Sequence, residues 1–158
     1  MTAILVNYEG VLNLKTCTFF GHRDTPKEVE FLLRDTIENL IQYKNVNKFY
    51  VGNQGNFDVL VRKVLIEMKK EYPEIQYNVV LAYIPTNNNK IGYDDFSDTI
   101  LPQGIEEVHR KIAILWRNKW MLSKSDYVVT YVGYTWGGAA KFKMLAEKQN
   151  KTVINLYK

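Results

Sequence analysis

The chain carries a single cysteine, Cys17, among its 158 residues. One thiol closes no internal disulfide and builds no zinc cluster, so a reducing cytoplasm is the expected location. Proline is scarce as well, with four residues, and no run reaches the roughly 18 apolar residues of a membrane span. The start, Met1-Thr2-Ala3-Ile4-Leu5-Val6, lacks the basic segment of a secretory signal and soon meets Asn7 and Glu9. Neither fingerprint of a nucleotide-binding loop, GxGxxG or GxxxxGK[ST], occurs, which argues against a dehydrogenase or an ATPase and leaves no cofactor required. His22 and His109 belong to no metal-ligand spacing, so no metal is expected. Charge of one sign is also in short supply. Lys and Arg number 21 against 17 Asp and Glu, a net charge of +4. So small and evenly spread an excess makes nucleic acid an unexpected partner.

What is present is ample for one folded unit, since 46% of the residues are apolar or aromatic. Residues 1–158 read as a single domain, with 1–14 as an N-terminal extension, either a hairpin or an edge strand. The rest alternates strand and helix. Thr16–Phe20 is an apolar strand ending at Gly21-His22-Arg23-Asp24. Thr25, Pro26 and Glu28 fit the first positions of a capped helix, and Val29, Leu32, Leu33, Ile37, Leu40 and Ile41 form its apolar stripe. Lys48–Val51, Tyr77–Ile84, Tyr127–Val132 and Thr152–Leu156 are further strands. Phe57–Met68, Ile105–Leu122 and Gly137–Gln149 are further helices. The polar stretch from Thr86 to about Gln103 is long enough to be a lid.

Apolar strands joined by helices predict an α/β, Rossmann-like three-layer fold, with a mostly parallel sheet of about five strands and helices on both faces. In such sheets ligands bind beyond the carboxyl ends of the strands, where the strand order reverses. Three loops should converge there: Gly21–Asp24, Gly52–Asn56 and Gly133–Gly138. The last is the most telling, because an apolar strand runs into Trp136-Gly137-Gly138-Ala139 at the start of a helix. Unpaired N–H groups and the helix dipole favour an anion at such a turn, and glycine lets it approach.

Other polar residues supply candidate contacts. His22 and Arg23 follow a strand directly, and an arginine fork can grip a phosphate. Gly52 and Gly55 offer main-chain amides, although Asn-Gln-Gly-Asn is also good turn chemistry. Arg117 and Asn118 combine several donors with one amide acceptor, on a helix whose apolar stripe lies elsewhere. Trp136 either stacks on a base or anchors the turn in the core. Tyr93, Asp94, Asp95 and Asp98 in the long loop either supply acid–base chemistry or are simply solvated.

Taken together, Cys17-Thr18-Phe19-Phe20-Gly21-His22-Arg23, Gly52-x-x-Gly55-x-Phe57-Asp58, Tyr93-Asp94-Asp95, Arg117-Asn118-x-Trp120-Met121, Ser125-Asp126-Tyr127 and Trp136-Gly137-Gly138-Ala139 resemble the bacterial stand-alone SLOG family over residues 15–157. SLOG domains are Rossmann-like relatives of the LOG phosphoribohydrolases and of a DNA-processing protein that loads recombinase. The resemblance implies a nucleotide or nucleotide-derived ligand, of NAD, ADP-ribose or nucleoside monophosphate type, held for sensing or sequestration. It also brings a homo-oligomer as a partner class. The LOG motif PGGxGTxxE is incomplete here, since Trp136 replaces its proline, Ala140-Lys141 replace its Gly-Thr, and the glutamate has no counterpart. Binding without turnover is therefore expected, and no catalytic residue is assigned. The alternative is a LOG-like phosphoribohydrolase or a deoxyribosyltransferase-like N-glycosidase that uses Asp24, Asp58, Asp94 or Asp95. A DNA-processing module ranks last, for want of a concentrated basic face.

Overall fold

The computed structural model describes residues 13–84 and 96–158. Tyr93, Asp94 and Asp95, residues 1–12 of the expected N-terminal extension and most of the lid stretch fall outside them. Six strands, β1 (Lys15–Gly21), β2 (Val46–Val51), β3 (Gln76–Val80), β4 (Thr99–Ile100), β5 (Tyr127–Tyr131) and β6 (Thr152–Asn155), form one sheet in the order β4-β3-β2-β1-β5-β6. Every pairing is parallel. The α/β architecture is as expected, with one strand more. That strand, β4, comes from the stretch expected to be a lid, and is too short to carry a hydrophobic pattern.

Side chains alternate across a strand, so β1 feeds both faces of the sheet. Cys17 and Phe19 join the core under α1 (Glu30–Tyr43) and α2 (Asn56–Glu71). Phe20 turns the other way and stacks on Phe142, in the core under α3 (Arg110–Ser123) and α4 (Gly138–Lys148). Each fully buried aliphatic or aromatic side chain contributes about 1.5–3 kcal/mol, so the two cores hold the helices firmly against the sheet.

Two helix starts differ from expectation. The Thr25 hydroxyl donates to the His22 carbonyl at 2.6 Å instead of capping a helix, and a 3₁₀ turn at Lys27–Val29 precedes α1. Ile105 belongs to a separate 3₁₀ turn, and α3 begins only after His109, whose Nδ1 accepts the Lys111 N–H at 3.1 Å. Ile112, expected in the apolar stripe of that helix, is exposed.

The order of strands decides where a ligand fits. Connections from β1 lead one way to β2, β3 and β4, whereas β5 and β6 lie on its other side. The register pairs Gly21 with Tyr131, so β1 and β5 end at the same level. The chain leaves these two ends in opposite directions and opens a crevice between them.

Candidate functional site

Strand β1 delivers Gly21, His22 and Arg23 to the crevice, and the end of β5 delivers Tyr134, Trp136, Gly137 and Gly138. Helix α2 adds Asp58, and α3 adds Arg117 and Asn118. They line one cavity of about 350 Å³, together with Ala139 and Gln54. Hydrogen bonds tie the three expected loops into one body. The Asn56 N–H donates to the Arg23 carbonyl at 2.9 Å, and the Gly133 N–H donates to His22 Nε2 at 2.8 Å.

The second of these bonds defines the tautomer. Nε2 accepts, so His22 is neutral with its proton on Nδ1. Burial holds its pKa below the ordinary value, against a smaller opposite pull from Asp24. The His22 ring stacks on Tyr134 with centroids 3.7 Å apart and 3° between planes, and Tyr134 stacks on Trp136 at 4.2 Å and 23°. Three rings thus rise as a column from the buried end of β1 to an indole that is 68% exposed. Trp136 does not anchor the turn in the core; it ends a stack.

Beside the column, Gly137 stands just before α4, and no side chain caps the first N–H groups of the helix. Gly137 has φ 93°, a left-handed conformation that favours glycine. A Cβ at Gly137 or Gly138 would meet nothing within 4 Å, so the approach to these amides is open. Arg23 is exposed nearby, and Asp24 next to it stays near enough to act on both His22 and Tyr134.

The other glycines serve packing. A Cβ at Gly21 would run into the Phe57 ring, and one at Gly55, φ 90°, would lie 2.7 Å from the Arg23 Cα. A Cβ at Gly52 would stand 3.0 Å from both the Arg117 guanidinium and the Asp58 carboxylate. Their smallness brings α2 and α3 close to β1 and shapes the cavity.

Arg117 does not lie on a solvated helix face. It is 1% exposed, with Nε donating to Asn118 Oδ1 at 2.8 Å and Nη1 donating to Asn53 Oδ1 at 3.1 Å and the Val80 carbonyl at 2.7 Å. None of the ion pairs among the described residues includes it. Asp58 is buried too, and Oδ2 accepts the Gln54 N–H at 2.8 Å. Burial pushes its pKa up to about 6, against the nearby Arg117 charge, the Gln54 bond and Arg23. Burial likewise lowers the pKa of Arg117, with Asp58 acting against it. Sequence reasoning missed Tyr134 and Gln54. The aromatic pair at 134 and 136, two residues apart at a strand end, was the available signal for the first. Gln54 announces itself only through its main chain.

No protein-family model and no curated protein matches the chain. Among solved structures it is similar to DNA processing protein A from Helicobacter pylori, with a TM-score of 0.57 and 16% identity over 93% of this chain and 67% of that one. Similarity at that level concerns the fold. That protein's structure is described as showing a unique single-stranded DNA binding mode. Two expectations are corrected by this comparison: a small nucleotide-derived molecule as the ligand, and nucleic acid as an unexpected partner. A small net charge does not exclude nucleic acid, because it averages over the whole surface, whereas a single strand needs only a few cationic groups beside stacking rings. Among the described residues no helix is long and apolar enough to cross a membrane, and no three His, Cys, Asp or Glu residues gather to hold a metal ion.

Proposed function

We propose that the chain binds single-stranded DNA across the crevice between β1 and β5, in the cytoplasm. The observation that carries this reading is the His22–Tyr134–Trp136 column, which ends in an exposed indole next to the uncapped start of α4. Every base has a flat face, and stacking on an aromatic side chain contributes about 1–3 kcal/mol per base without regard to sequence. A duplex keeps its bases stacked inside, so only a single strand can use Trp136 in this way. Phosphates on either side of the stacked base then lie against the Gly137–Gly138 amides and the Arg23 guanidinium. The fold similarity to a protein that binds single-stranded DNA supports this reading. The SLOG resemblance fits it as well, since it sets these domains beside a DNA-processing protein.

Fluorescence anisotropy with a labelled oligothymidylate of about 12 nucleotides tests the proposal. Binding should weaken steeply with salt, and Trp136→Ala should weaken it about 5- to 100-fold. Arg23→Ala should flatten the salt dependence by about one phosphate contact. Absence of binding at low salt, or binding that ignores both substitutions, overturns the reading.

A further inference from the structure

The cavity beneath the stack has its own chemistry. Described hydrogen bonds account for Nε and Nη1 of Arg117, Oδ1 of Asn118 and Oδ2 of Asp58, and leave Arg117 Nη2, Asn118 Nδ2 and Asp58 Oδ1 without a partner. Among the described residues, no buried side-chain nitrogen or oxygen lacks a hydrogen bond. These three atoms are therefore not wholly buried, and all three residues line the cavity. The residues that carry these two donor groups and one acceptor line a common volume whose remaining wall includes Phe20, Ile114 and Met121.

A phosphate suits this volume poorly. It would find Arg117 but would also be brought against the Asp58 carboxylate, and like charges in a poorly solvated site repel strongly. A neutral, flat group with both donors and acceptors along its edge satisfies all three residues and packs against the apolar wall. That describes a base. Guanine alone among the four DNA bases has two adjacent donors, N1–H and N2–H₂, which the Asp58 carboxylate can accept together, one on the open Oδ1 and one on the second lone pair of Oδ2 beside the Gln54 N–H. Its O6 and N7 acceptors suit the Arg117 and Asn118 amino groups.

We propose that this cavity is a guanine-selective subsite, in which one base of the bound strand leaves the Trp136 stack, enters between β1 and α3, and is read by Asp58, Arg117 and Asn118. The inference rests on the single-strand reading above and adds a sequence preference to it. The neighbouring phosphate stays at the rim, on Arg23 and the α4 amides. Gly52 belongs to the same device, because a side chain there would wedge between the two reading groups.

The test uses oligothymidylates that carry one central guanine, adenine, cytosine or inosine, measured by anisotropy on the full chain. The guanine strand should bind about tenfold more tightly than the adenine and cytosine strands. Inosine, which lacks the N2 amino group, should lose most of that advantage. In Asp58→Asn, checked for folding by circular dichroism, the ratio of guanine to adenine affinity should fall to about one. Equal affinity for all strands, an inosine strand as tight as guanine, or an unchanged ratio in Asp58→Asn overturns the subsite while the single-strand reading stands. Failure of every strand to bind overturns both.

Discussion

Gly133 donates its main-chain N–H to His22 Nε2 across 2.8 Å, and this one bond joins two residues 111 positions apart. It also holds the loop that carries Tyr134 and Trp136 over the end of β1. The column of rings consequently depends on a neutral imidazole.

A pH effect follows from that dependence. Burial keeps the folded pKa of His22 below its unfolded value of about 6.5. The contribution of the bond is present above that unfolded value and is lost as the pH falls below it, because the unfolded chain takes up the proton first. Thermal unfolding of the wild type and His22→Gln between pH 7.5 and 5 should show a smaller acid loss in the variant, for which the glutamine oxygen remains an acceptor at both ends. Parallel curves would show that the bond does not couple to protonation.

Asp58 behaves in the opposite sense. With its folded pKa raised to about 6, it holds a proton that the unfolded chain, titrating near 3.8, has already released. Stability therefore falls as the pH rises from about 4 to 6 and stays reduced above that window. Asp58→Asn should unfold at higher denaturant than the wild type at pH 7, and with no advantage near pH 4. An equal advantage at both pH values would place the effect elsewhere.

Arg117 holds α3 against two other elements through Asn53 and the Val80 carbonyl. Orphaning a buried acceptor costs about 1–3 kcal/mol, so Arg117→Met should lower stability by roughly that amount even though methionine fills much of the space. The urea midpoint measures the loss, and an unshifted midpoint would mean that those bonds contribute nothing net.

The two glycines at the start of α4 should respond differently to a methyl group. Gly137→Ala forces a side chain into a left-handed conformation and should cost about 1 kcal/mol. Gly138→Ala meets no neighbour and no positive φ, so its stability should stay within about 0.5 kcal/mol of wild type. DNA affinity measured on Gly138→Ala then reports the crowding of the phosphate position alone.

How far the sequence revealed this molecule can be judged from the same residues. Gly137-Gly138 and His22-Arg23 were legible because they terminate apolar strands, and parallel topology places strand ends together. The extra strand β4 was not, since two residues carry no period. Arg117 was legible as a candidate contact but its burial was not, because helical patterning treats every arginine as polar surface. Its burial becomes acceptable only through the carbonyl and amide oxygens supplied by β3, α3 and the loop after β2. Those partners converge in space and not in sequence. Net charge was a weak guide to partners for a related reason, since an overall sum carries no record of where stacking rings and arginines meet.

The distance along the chain between His22 and Gly133 has a kinetic side. Contacts between residues so far apart form late, because the intervening chain must first lose most of its freedom. The ring column can close only with β5 docked beside β1, because its rings come from the ends of both strands. Emission from Trp136, isolated by replacing Trp116 and Trp120 with phenylalanine and quenched or shifted as it meets Tyr134, would then mark the docking of β5 in a stopped-flow refolding trace. The same indole that is proposed to meet DNA would serve as a clock for the assembly of its own platform.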